Sequence, residues 1–317
     1  MFKNYLRIQP APVQLLLFLS FWCAFLLLGL LLQPLYIKAA TGISTDQLQQ
    51  FLENDIYKQP NIIFVSNTLF QIFTFLLPAL IYAYLADPSP RQYLGMKAPG
   101  KKVQIMIVVL LSLGLIVLLG PVANWLKQLD LGNTSKELDK QREAFIMTYL
   151  SSGNAWAVVR SIFLIAVVPA ICEEFFFRGL VFKFAQSILK KWWLSVMLSA
   201  LLFSAFHSSI SELVPIFLAG LVLGWVYYIT SSIWMNVLLH LLFNGLQVLL
   251  GVYSSPALEK SLEAPSVVLV IFVTGLAVLT LGIFILYRKR TPLPAYWSVV
   301  QLPAPKEEDM DLWNKQP

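Results

Sequence analysis

The chain has 317 residues, of which 58% are hydrophobic and only 13% charged, with a mean hydropathy of +0.71. A soluble globular domain carries about 45–50% apolar and about 25% charged residues, so the composition excludes such a domain, a disordered chain and a disulfide-stapled secreted module. The two cysteines, Cys23 and Cys172, lie in apolar runs and read as small buried hydrophobes. The net charge of +6 is what basic cytoplasmic loops give a membrane protein, and nucleic acid is not expected as a partner.

Apolar runs of about 20 residues recur along the chain. They predict an all-α, polytopic transmembrane helix bundle of about eight spans, at 13–37, 62–86, 103–126, 156–186, 192–207, 212–230, 232–252 and 266–287. The first run is longer than a signal-peptide core and reads as an anchor. The fourth carries Pro169, which predicts a kink. The fifth is short, as expected of a tilted helix or one that ends inside the bundle. Between the third and fourth runs, the polar loop 127–155 is expected to be partly helical from Ser135 to Tyr149.

With an even number of spans, Lys3, Arg7, Arg91, Lys97, Lys101, Lys102, Lys190, Lys191, Arg288, Lys289 and Arg290 fall on one side. The positive-inside rule then places both termini in the cytoplasm. The division expected is three N-terminal spans with the polar loop over 1–154, a four-span core over 155–252, an eighth helix over 253–290 and a Pro-rich extended tail over 291–317. Short loops and the lack of an organelle-targeting signal point to a bacterial inner membrane.

An ionisable side chain inside a span is costly and is read first as functional. The last five runs hold Arg160, Glu173, Glu174, Arg178, Lys183, His207, Glu212 and His240. Arg160, Lys183 and Glu212 lie near predicted ends, where snorkelling suffices. Glu174 and Arg178 are four apart, share a helix face and are expected to pair. Glu173 points about 100° away and has no partner on its own helix. It is the carboxylate left for chemistry or for another helix. The only two histidines, His207 and His240, lie deep in apolar runs, and Asn244 shares the face of His240 one turn on. Asn236 extends that stripe and is read as packing or capping. Together these residues predict a polar cluster assembled from three helices. Phe175, Phe176 and Phe177 read as bundle or lipid packing, or as an apolar wall for a hydrophobic substrate.

Three chemistries fit these residue types. Glu173 takes a proton from water that His207 orients, while His240 and Asn244 donate to the developing oxyanion. Alternatively, Glu173, His207 and His240 hold a divalent metal such as zinc, with water as fourth ligand. The H-E-x-x-H signature is absent, and no acid beyond Glu174 is left to act as base. The least favoured option is Cys172 as nucleophile.

The three segments Glu173-Glu174-x-x-x-Arg178, Phe203-x-x-x-His207 and His240-x-x-x-Asn244 resemble the motifs of the CPBP family, the CAAX proteases and bacteriocin-processing enzymes. No motif residue departs from the pattern, and the resemblance covers residues 155–252. It implies an intramembrane endopeptidase cleaving hydrophobic or prenylated peptides at the bilayer. By this resemblance Glu173 and His207 act on water, His240 and Asn244 sit at the oxyanion, and Glu174 and Arg178 give support. Both metal-dependent and metal-independent mechanisms stay open. The alternatives to a protease are a non-enzymatic immunity or scaffold protein using the same pocket, and a proton relay or transporter. The relay is disfavoured because no inverted repeat is visible.

Overall fold

The computed structural model describes residues 6, 9–98, 101–129, 132–150, 155–207, 209, 211–255 and 264–291. The tail expected to be extended lies outside the described residues from 292 onward, as do Lys3 and Arg7. The principal helices are α1 (Ala11–Thr41), α2 (Thr45–Asn54), α3 (Pro60–Ala86), α4 (Lys102–Lys127), α5 (Asn133–Leu150), α6 (Ala155–Leu189), α7 (Trp192–Ala205), α8 (Leu213–Thr230), α9 (Ile233–Tyr253) and α10 (Pro265–Arg288). Among the described residues all regular structure is helical. A chain without water around its backbone must satisfy its own N–H and C=O groups, and a helix does so within one segment.

Seven helices, α1, α3, α4, α6, α8, α9 and α10, are long and apolar enough to cross a membrane, and the protein is an integral, multi-pass membrane protein. The expected fifth span differs. Helix α7 has 14 residues, about 21 Å at 1.5 Å per residue, against a hydrocarbon core of about 30 Å. It stops at Ala205, so His207 sits just past its C-terminal end. The polar loop does form a helix, α5, over Asn133–Leu150. Helix α2 was not expected. Its start is marked by Ser44 and Gln47, where the Gln47 side-chain oxygen accepts the Ser44 N–H at 3.2 Å, the spacing of a capping box.

Large apolar side chains on α1, α4 and α10, such as Leu31, Met106 and Leu269, face outward, as a lipid-solvated surface requires. Cys23 belongs to this outer face, contrary to the expected burial, whereas Cys172 is buried. Small residues let helices approach. A Cβ added to Gly220 on α8 would meet the Ala200 Cα and Cβ of α7 at 3.1 Å, and one at Gly224 would meet Val196 at 3.2 Å. This small-xxx-small spacing suits close packing in a bilayer.

Helices α3 and α6 are not uniform. Each contains five-residue π turns, at Ile72–Leu76 in α3 and at Phe163–Val167 and Phe177–Val181 in α6. A π turn inserts one extra residue and so rotates the remainder of the helix about its axis. Pro169 comes just after the first π turn of α6, where the sequence predicts a kink. Lys183 is not at a snorkelling end. It is fully buried near the end of α6, with Nζ 4.7 Å from the centroid of the buried Tyr93 ring. The segment after α3 closes over that end of the helix. Arg160 bonds Asn61 Oδ1 at 2.6 Å. Glu212 directly precedes α8 and lies 3.9 Å from Lys127.

Candidate functional site

The ionisable stretch of α6 lies between its two π turns, with Arg178 inside the second. Glu174 is completely buried, with both oxygens hydrogen-bonded. Arg178 Nη1 donates to Oε1 at 2.9 Å, His240 Nδ1 bonds the same oxygen at 2.9 Å, and Asn236 Nδ2 donates to Oε2 at 3.2 Å. The pair four residues apart on α6 is therefore the centre of a four-residue network that includes α9. An ionised carboxylate only accepts, so His240 Nδ1 carries a proton and the neutral ring keeps its lone pair on Nε2. Asn236, read as packing or capping, is a network member. It also donates to the Leu223 carbonyl at 2.6 Å, fixing α9 against α8.

Arg178 is held from two further sides. Nη2 donates to the Gly220 carbonyl at 3.1 Å, and the guanidinium lies 4.6 Å from the Phe203 ring centroid. That ring is shared. The His207 ring lies 5.0 Å and the His240 ring 5.8 Å from its centroid. Phe203 of α7 thus brings Arg178 and both imidazoles around one aromatic surface, although His207 lies off the helix end. His207 Nδ1 faces the Phe203 carbonyl at 2.9 Å. A carbonyl accepts, so this ring too is protonated on Nδ1, and its neutral form keeps the basic lone pair on Nε2.

Glu173 faces the other way, toward α3. Gln71 Nε2 donates to its Oε1 at 3.2 Å. Its Oε2 is buried and has no hydrogen-bond partner among the described residues. Neither imidazole is bonded to Glu173 in this arrangement. Gln71 was missed by sequence reasoning, because a lone Gln in an apolar run carries no motif.

Asn244, on the His240 face, bonds the α6 backbone. Pro169 has no N–H to return to the carbonyl of Ile165 four residues earlier, and Asn244 Nδ2 donates to that carbonyl at 3.0 Å. Of the stripe, Asn236 and His240 both meet Glu174, and Asn244 meets the α6 backbone at Ile165.

The alternative metal set of Glu173, His207 and His240 is not assembled. Among the described residues no three His, Cys, Asp or Glu side chains form a group that could hold a metal ion. The Glu173 carboxylate turns instead to Gln71 of α3.

Phe175, Phe176 and Phe177 are all buried in the bundle. Phe176 and Phe177 join Phe75, Phe203 and Phe206 in edge-on and tilted contacts with centroids 5.1–5.8 Å apart. This wall lies between the elements that carry the carboxylates and His207.

Residues 145–246 match the family described as type II CAAX prenyl endopeptidase Rce1-like. The match runs from the end of α5 through most of α9 and contains every motif residue above, but not Gln71. No curated protein and no solved structure matches the chain.

Proposed function

We propose, from the match of residues 145–246 to the Rce1-like type II CAAX prenyl endopeptidase family, that this membrane protein hydrolyses peptide bonds of hydrophobic or prenylated peptides without a metal. The observation that carries this reading is the inequality of two neighbouring carboxylates. Glu174 has both oxygens engaged, by Arg178, His240 and Asn236, while Glu173 keeps one buried oxygen unpartnered among the described residues.

In the reaction, water attacks the scissile carbonyl carbon and gives its proton to Glu173 Oε2. His207 Nε2 accepts the second hydrogen of that water and orients it. The carbonyl oxygen gains negative charge as the tetrahedral intermediate forms. His240, held by Glu174 as an aspartate holds the histidine of a hydrolytic triad, serves that oxygen in its doubly protonated form by donating from Nε2. Asn244 has a second amide hydrogen beyond the one given to Ile165 and can donate beside it. The C–N bond then breaks, and the proton on Glu173 passes to the departing amine. Glu174, Arg178 and Asn236 touch no reacting atom. The aromatic wall excludes water and offers an apolar lining to the substrate.

The test is cleavage of a farnesylated CAAX peptide by the purified full chain in liposomes. Activity lost in Glu173→Gln, His207→Ala and His240→Ala, and retained in excess chelator, is the expected result. Full activity in Glu173→Gln overturns the mechanism. A cellular phenotype that survives all three substitutions would instead identify a non-enzymatic immunity or scaffold role.

A further inference from the structure

We propose that Gln71 of α3 is a positioning residue for the hydrolytic step, fixing the Glu173 carboxylate so that Oε2 is the oxygen presented to water. The inference rests on the hydrolase reading above but concerns a residue outside the family-matched segment.

The Gln71 amide donates from Nε2 to Glu173 Oε1 at 3.2 Å. The carboxylate can only accept, so the amide must offer its nitrogen there. Its own oxygen is thereby turned away, and Gln71 Oε1 is buried without a hydrogen-bond partner among the described residues. Glu173 Oε2 is in the same state. A glutamine recruited only to fill space would not leave an acceptor unsatisfied. Leucine has nearly the same shape, carries no acceptor to leave unsatisfied and packs better in an apolar setting. The arrangement therefore sacrifices one acceptor to constrain one carboxylate.

The constraint matters because a carboxylate has two equivalent oxygens. With Oε1 tied to α3, the group cannot rotate to offer either oxygen at random. Position is reinforced by the backbone, because Gln71 directly precedes the π turn Ile72–Leu76. There the Ile72 N–H is shared between the Leu69 and Thr68 carbonyls. One helical turn back, Asn67 lines a cavity of about 350 Å³, together with Gln33 and Ser66, which bond each other at 2.9 Å. A polar face of α3 thus runs from a space able to hold water to the side chain that grips Glu173.

The test uses the full chain in liposomes with the farnesylated peptide, comparing Gln71→Leu and Gln71→Met with wild type. The expected result is a fall in kcat of roughly 10–100-fold, as for other residues that orient a reacting group, with KM within about twofold. The thermal unfolding midpoint should stay at the wild-type value. In a Glu173→Asp background the carboxylate is withdrawn by one methylene from the reach of Gln71, and there Gln71→Leu should change kcat by no more than about twofold. Wild-type kcat in both Gln71 variants overturns the proposal. So does a loss of activity matched by a loss of folded protein, or the same fold-loss in both backgrounds. If Glu173→Gln itself is fully active, the hydrolase reading fails first, and that result is distinct from every outcome at Gln71.

Discussion

The seam between α6 and α9 and the seam between α6 and α3 meet at adjacent residues, yet they are built on opposite principles. On the α9 side, Glu174 accepts three hydrogen bonds, and its partners reach on to the Gly220 and Leu223 carbonyls of α8. On the α3 side, Glu173 accepts one, and two buried acceptor atoms stay open among the described residues. A buried charge with both oxygens bonded holds helices in register, whereas an under-satisfied one keeps the capacity to bind a proton or a water. The difference teaches that two identical side chains adjacent in sequence can differ in hydrogen-bonding state by which helix each one faces, and the proposed division into scaffold and reagent rests on that difference.

The strongest way to break this comparison is at the reagent. Glu173→Gln should lower peptide cleavage by roughly 10²–10⁴-fold, the range of a general base, while leaving the unfolding midpoint nearly unchanged. Peptide hydrolysis and thermal unfolding in the same detergent check both halves. At the scaffold the pattern should reverse. Glu174→Ala leaves Arg178 buried without its anion, and breaking such a pair costs about 3–5 kcal/mol. Reduced folded yield and a lower denaturation midpoint are the expected readings, with activity lost as a consequence. Asn236→Leu removes one donor from Glu174 and one from the Leu223 carbonyl, for a smaller loss of about 1–3 kcal/mol. The finest test lies at Asn244. Asn244→Leu should cost about 1 kcal/mol by orphaning the Ile165 carbonyl. Pro169→Ala restores a backbone N–H near that carbonyl, so the Asn244→Leu penalty should shrink by about 0.5–1 kcal/mol in the Pro169→Ala background. Equal penalties in both backgrounds would show that Asn244 does not serve the proline gap.

Much of the site was legible because a helix converts spacing into direction. Glu174 and Arg178 pair as their four-residue separation dictates, and Asn236, His240 and Asn244 all turn toward α6 as one stripe. The family reading from the three motifs agrees with the match over residues 145–246. What stayed hidden concerns contacts between helices. His240 was expected near Glu173 but bonds Glu174. Lys183 was expected to snorkel but is enclosed against Tyr93. The fifth run was counted as a span, yet α7 is too short because the chain turns at Phe206.

The sequence by itself determined the solvent, the number and rough limits of the apolar helices, and the short set of side chains that lipid would not tolerate. It did so because hydropathy and helical period are properties of one segment. Only the tertiary structure decided which carboxylate takes the imidazole, which one is left open, and that a glutamine from a distant helix grips it. Those choices depend on the rotation and depth of one helix against another. Here π turns in α3 and α6 reset that rotation, and no single-segment pattern carries it.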